Sequence, residues 1–244
     1  MHLKNQSHFL IKNNYMKNKK RLVITGSEGL IGQKLVEHFK DDYEVIPLDI
    51  RLGHDLSNEK FVADWFTKNK DLYGMIVCHA YNSVPAKDAK KVEPVDIPLK
   101  ELRDYLEVNV VSVFDVCRNF IRNNKNGVIV NVGSIYGAVS PKHHLYKNFT
   151  KHIGYPISKA AVAMLSKYLA TYYATNIRVN TVMFGGISDP KQDPNFVKEY
   201  NANVPFKRLM RPDEAVSVFE FLLDERSSYV TGAEFFVDGG WTAW

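Results

Sequence analysis

The chain has 244 residues, 45% of them hydrophobic and 24% charged, the proportions of an ordinary globular protein that buries a sizeable core. Its formal net charge is +5, and Lys and Arg between positions 1 and 21 contribute six positive charges. No apolar run approaches the roughly 20 residues that span a bilayer, no signal-peptide pattern opens the chain, and two cysteines make no disulfide framework. The expectation is a cytoplasmic protein with no membrane partner.

Residues 1–20, rich in Lys and Asn, read as a mobile polar tail, with Met16 an alternative start. A basic tail can touch nucleic acid, but no nucleic-acid-binding motif accompanies it, so no such partner is expected. From residue 21 short β-rich runs alternate with segments of helical period, the pattern of βαβ units on a parallel sheet. Strands are expected at 21–25, 43–49, 53–56, 74–78, 127–133, 177–184 and 234–238, and helices at 30–40, 58–70, 99–124, 156–174 and 212–224. The fold class is therefore α/β, a doubly wound Rossmann fold of about seven strands flanked by helices. No linker divides residues 21–244, which read as one domain.

The first strand runs into Gly26-Ser27-Glu28-Gly29-Leu30-Ile31-Gly32 and then a helix. Glycines there let backbone N–H groups approach a pyrophosphate, whose charge the helix N-terminus favours. A plain Gly-rich turn is the competing reading. Asp49, at the end of the second strand, suits the ribose hydroxyls of NAD and repels a 2′-phosphate, whereas Arg51 nearby could accommodate one. Taken alone, Asp49 could equally be a solvated strand-end carboxylate. Cys78 and Cys117 lie in apolar runs and read as buried thiols. Tyr155 and Lys159 stand i, i+4 on one helix face. An ammonium beside a phenol stabilises phenolate and lowers its pKa, which would make Tyr155 usable as an acid/base near neutrality. Such a pair is often a solvated face, and gains meaning from Ser134 at the end of the preceding strand.

In this order, TGxxGxxG, Asp49, Asp55-Leu56, Asn109, Gly133-Ser134, Tyr155-x-x-x-Lys159, Arg178-Val179-Asn180 and Tyr229-Val230-Thr231-Gly232 with Val237-Asp238-Gly239-Gly240 resemble the short-chain dehydrogenase/reductase family over residues 21–244. The resemblance implies an NAD(H)-dependent oxidoreductase. Tyr155 would be the acid/base, Lys159 would bind the nicotinamide ribose, Ser134 would orient the substrate oxygen, and Asn109, in a kinked helix, would hold a relay water. Asp55 and Leu56 would flank the adenine. His79, Ala80, Gly185 and Ile187 would line the cofactor, the last two within a stretch 182–187 lying against the nicotinamide. No metal is implied, and a homodimer or homotetramer is.

Several departures bear on substrate and cofactor detail. The glycine spacing is that of the extended, nucleotide-sugar-modifying branch. Cys78-His79-Ala80-Tyr81 stands where Asn-Asn-Ala-Gly is common, and Phe184-Gly185 replaces Pro-Gly. Asp189 takes the place of a carboxamide-binding threonine, and the segment 135–154 is long. GSIYGxVSP and the ending DGGWTAW resemble members from bacterial surface-sugar and flagellin-modification pathways. The rivals are a nucleotide-sugar epimerase or dehydratase and a non-enzymatic NAD-binding regulator. Adjacent His143 and His144 read as a solvated loop rather than a metal site. Lys142, His143, His144, Lys147, Lys151 and His152 follow Ser134 with no acidic residue among them. This suggests either a rim that attracts an anionic small-molecule substrate, plausibly a sugar phosphate or nucleotide sugar, or a solvated face. Trp241 and Trp244 are read as buried, either in an oligomer interface or within the chain.

Overall fold

Short apolar runs separated by amphipathic helices pair as parallel strands. The computed structural model describes residues 19–82, 91–147 and 149–244, so the tail expected over 1–20 lies almost wholly outside the described residues. Strands β1 (Arg21–Thr25), β2 (Glu44–Leu48), β3 (Gly74–Val77), β4 (Gly127–Val132), β5 (Ile177–Phe184) and β6 (Glu234–Val237) form one sheet in the order β2-β1-β3-β4-β5-β6. Every pairing is parallel. The sheet has six strands among the described residues rather than about seven. Where a strand was expected at 53–56, a tight turn over Ile50–Leu52 follows Asp49, whose carboxylate accepts the Arg51 N–H, and Gly53 closes it at φ +83°. That left-handed glycine turns the chain away before it can pair.

The helices are α1 (Leu30–Phe39), α2 (Glu59–Lys68), α3 (Leu99–Leu106), α4 (Ser112–Asn123), α5 (Gly154–Tyr172), α6 (Pro194–Asn203) and α7 (Val216–Leu223). The single helix expected over 99–124 is instead two, joined by a π turn at Glu107–Val111. Helix α6 was not expected, although its start is legible in retrospect. Asp193 accepts the Asn195 N–H and Pro194 occupies the first turn, a favourable helix opening.

Strand side chains alternate between two cores. Val23, Met75, Val77, Ile129 and Val179 pack with α2, α4 and α5, while Leu22, Ile24, Ile76, Val130 and Val182 pack with α1 and α7. Each fully buried aliphatic side chain contributes about 1.5–3 kcal/mol, so the two-faced burial explains why these strands read as unbroken apolar runs. A third cluster joins Tyr136, Tyr146, Tyr200 and Trp241 beyond the sheet. The crossover from β1 leads one way along the sheet and that from β3 the other. This switch point leaves a cleft at the C-terminal ends of those two strands.

Candidate active site

At the switch point the turn after β1 is held by backbone contact. Gly26 takes φ +64°, and a Cβ there would lie 2.6 Å from the His79 nitrogen, so only glycine lets the loops after β1 and β3 touch. Gly32 is as constrained, with a Cβ falling 2.1 Å from the Gly26 carbonyl oxygen. The first turn of α1 carries no side-chain cap. Its N–H groups therefore remain available to an anion. Ser27 is buried with its hydroxyl unpartnered among the described residues. Asp49 closes the far side, accepting from Glu28 N at 3.0 Å through one oxygen and from Arg51 N at 2.9 Å through the other. The Arg51 guanidinium donates to the Glu28 carbonyl at 2.8 Å, at the same rim.

His79 ties this turn to the π segment. Ser112 Oγ donates to the Val108 carbonyl at 2.6 Å, so at 2.9 Å it can only accept from His79 Nε2–H. Nδ1 then accepts from Thr25 Oγ1 at 2.7 Å. Burial lowers the His79 pKa to about 4, so the ring is neutral in this tautomer. The π turn swings Asn109 inward. Its carboxamide accepts from Tyr81 N at 2.6 Å, donates to Tyr81 O at 2.9 Å, and donates to Ser158 Oγ at 3.0 Å. Ser158 in turn donates to the Tyr155 carbonyl at 2.8 Å.

Tyr155, Ser134 and Lys159 converge at the end of β4. Gly137 allows it, because a Cβ there would come 2.8 Å from the Lys159 backbone. Ser134 Oγ accepts from Tyr136 N at 3.2 Å and lies near enough to the Tyr155 phenol to favour its phenolate. Lys159 is buried, donates to the Val132 carbonyl at 2.9 Å, and lies 5.8 Å from the centre of the Tyr155 ring. Burial pushes its pKa down to about 8. Burial also raises the Tyr155 pKa above its ordinary value, with the Ser134 hydrogen bond opposing. The net direction is thus opposite to the lowering expected from Lys159 alone. Desolvation of the phenol sets that direction, while the Lys159 ammonium is turned to the Val132 carbonyl.

The segment 135–154 forms the next wall. Tyr136 and Tyr146 share a hydrogen bond of 2.7 Å between their hydroxyls, Tyr200 of α6 accepts from Gly186 N at 2.7 Å, and Trp241 stacks on Tyr200 at 4.4 Å. On the other side Tyr105 of α3 stacks on His152 at 4.4 Å and lies 4.7 Å from Tyr81.

A family model described as enoyl-(acyl carrier protein) reductase, of the short-chain dehydrogenase group, matches residues 15–242. The chain belongs to the short-chain dehydrogenase/reductase family. A short-chain dehydrogenase from Leptospira borgpetersenii serovar Hardjo-bovis, solved with bound NAD+, is similar over 92% of this chain and 93% of its own, at 28% identity and a TM-score of 0.81. Glucose 1-dehydrogenase of Gluconobacter oxydans is 33% identical over 178 residues, 69% of this chain and 62% of that protein, a match to less than two thirds of the relative. Post-translational flagellin modification protein A of Campylobacter coli is 28% identical over 219 residues, 87% of this chain and 83% of that protein.

As a short-chain dehydrogenase/reductase, the protein is an oxidoreductase that uses a nicotinamide dinucleotide, and its residues fit one. The glycine turn leaves room for backbone approach, the buried Ser27 hydroxyl lacks a partner among the described residues, and α1 opens uncapped. Other residues expected at the site sit as follows. Leu56 is buried in the core, whereas Asp55 is exposed and accepts from Ser57 N at 3.0 Å. Ala80 is exposed in the loop after β3. Gly185 donates to the Val237 carbonyl at 3.1 Å and Ile187 bridges to Met210. Asp189 caps a turn by accepting Lys191 N at 2.9 Å. Arg178 and Asn180 are structural: both donate to the Val230 carbonyl, which fixes the lead-in to β6. Both cysteines are free, with thiols that burial pushes up to about 12. Trp241 is buried within the chain and Trp244 is exposed. Sequence reasoning missed Asn82, Ser112, Ser158 and Tyr200. None belongs to a motif, and only the Asp193-Pro194 helix start pointed toward Tyr200.

Proposed function

We propose that the protein interconverts an alcohol and a carbonyl of a sugar-type substrate by NAD(H)-dependent hydride transfer, with Tyr155 as the acid/base. The carrying observation is the meeting of Tyr155, Ser134 and Lys159 beside the glycine cradle. The glycine turn, the Ser27 hydroxyl and the start of α1 would hold the dinucleotide, whose nicotinamide would supply the hydride chemistry. The Ser134 hydroxyl holds the substrate oxygen, and Tyr155 takes its proton or returns it. Lys159 sets a positive charge beside the phenol, and Asn109 holds Tyr81 and, through Ser158, the start of α5.

Asp49 supports NAD over NADP, since its carboxylate faces the turn where a 2′-phosphate would lie and repels it in a partly desolvated setting. Similarity to a glucose dehydrogenase and a flagellin modification protein supports a sugar-type substrate, and within the basic segment 142–152 Lys151, at the Tyr155 ring, supports an anionic one, a sugar phosphate or nucleotide sugar. Residues 21–244 would act as one catalytic domain in the cytoplasm. Met164, Tyr168 and Tyr172 on α5 and Phe114 on α4 are exposed, which supports a homodimer or homotetramer burying them.

The test is turnover of sugars, sugar phosphates and nucleotide sugars with NAD+ and NADP+, in wild type and Tyr155→Phe. The expected result is higher kcat/KM with NAD+ and a loss of about 10²–10⁴-fold in the variant with cofactor affinity little changed. Variant activity within a few-fold of wild type would remove Tyr155 from the chemistry, and a preference for NADP+ would overturn the role of Asp49.

A further inference from the structure

Three of the six basic side chains between Ser134 and Tyr155 face charged or polar partners on other elements of the protein. Lys142 donates to Asn203 Oδ1 at 2.9 Å and lies 4.9 Å from the Trp241 ring centre. Lys147 pairs with Glu199 at 3.5 Å, and His152 faces Glu101 at 3.4 Å while stacking on Tyr105. His143 and His144 are exposed in a short turn.

Lys151 is different. Its Nζ sits 4.2 Å from the centre of the Tyr155 ring and donates to Asn82 Oδ1 at 2.7 Å, and no carboxylate among the described residues pairs with it. It is half-buried, and desolvation lowers its pKa to about 8. A cation held in that way is costly unless a group of opposite charge sits beside it. Asn82 reaches it from the loop after β3 and Tyr155 from the start of α5, so the ammonium is fixed where the two loops meet.

We propose that Lys151 determines specificity by binding an oxyanion, a carboxylate or a phosphate, carried by the substrate close to the carbon that bears the reacting oxygen. This rests on Tyr155 being the proton-transfer group, as inferred above. The ammonium has three donors and gives one to Asn82, so two remain for the oxyanion in charge-assisted hydrogen bonds. Its position over the Tyr155 ring, rather than at the outer rim, restricts the negative group to the neighbourhood of the reacting carbon. A neutral substrate would leave the charge unanswered, and discrimination between charged and neutral analogues follows.

The experiment titrates the NAD+-saturated enzyme by calorimetry with inorganic phosphate and, separately, with malonate, so that the cradle is already filled. Wild type is compared with Lys151→Met, which keeps the apolar stem against Tyr155, and with Lys147→Met as a surface control. The expected result is binding of at least one probe, weakened on the order of tenfold by Lys151→Met and little by Lys147→Met. Binding of phosphate alone assigns a phosphate ester, and binding of malonate alone a carboxylate. Failure of both probes to bind wild type, or equal weakening by both substitutions, overturns the inference. Turnover of only neutral alcohols, with neither probe inhibiting competitively, also overturns it while leaving hydride transfer at Tyr155 standing. Lysine-dependent probe binding without turnover of any alcohol or carbonyl would instead sink the functional reading on which it rests.

Discussion

The two halves of the cleft are built from different materials. The side around the glycine turn is a backbone structure: Gly26 and Gly32 are set by contacts a single Cβ would violate, and Asp49 reads the turn through main-chain N–H groups. The side around Tyr155 is a side-chain structure, in which paired tyrosine hydroxyls, a stacked Trp241 and a stacked His152 hold segments remote in sequence. Backbone constraints admit one residue type and leave a visible motif. Side-chain constraints admit many solutions, so the same wall can be rebuilt with other residues for another substrate.

Substitutions that strike one half and spare the other sharpen this contrast. The largest effect is expected from Trp241→Ala, which removes a buried indole from its stack on Tyr200 and should destabilise the substrate wall by about 3–5 kcal/mol. KM for the substrate should rise while NAD+ affinity, followed by titration, stays close to wild type. An equal loss of NAD+ affinity would mean that the halves are one unit. Next comes Gly26→Ala. Positive φ together with a Cβ 2.6 Å from the His79 nitrogen should cost about 2–4 kcal/mol in urea unfolding and abolish cofactor binding. Retained cofactor binding would show that the turn can relax.

The smallest effect at neutral pH is expected from His79→Asn. The folded ring titrates near 4 and the unfolded one near 6.5, so as pH falls the unfolded chain takes up the proton first. The histidine's contribution is complete above about pH 6.5 and is lost progressively down to about 4. The stability gap between wild type and His79→Asn, measured by urea unfolding, should therefore narrow toward acid across that window. A gap that is flat with pH would mean that the ring is not buried neutral.

The contrast also explains what the sequence disclosed. Glycine positions, Asp49, Ser134 and the Tyr155/Lys159 pair lie on strand ends and one helix face, where local geometry dictates position, and all are found around one cleft. The strand expected at 53–56 failed because a short polar–apolar run cannot be told from a turn once Asp49 caps it and Gly53 adopts a left-handed conformation. The basic segment looked uniform in sequence. Only tertiary contacts reveal that Lys142 and Lys147 serve α6 while Lys151 faces Tyr155. Burial, which leaves no trace in spacing, likewise raises the Tyr155 pKa where the spacing to Lys159 alone predicts a lowering.

The π turn between α3 and α4 has an evolutionary corollary. Such a turn carries an extra residue in its span, and each residue rotates a helix by about 100°. Upstream, this register turns Tyr105 toward His152, and downstream it turns Val113, Val116 and Phe120 into the core, two directions that an uninterrupted α-helix could not serve together. Loss of one codon anywhere in 107–111 would restore a regular helix and swing Tyr105 and Asn109 off their partners, with no apolar residue removed from the downstream core. An in-frame deletion there would leave a protein that folds around its sheet yet has lost the link from Asn109 to Tyr81 and Ser158, which makes the four positions other than Asn109 less tolerant of length change than of substitution.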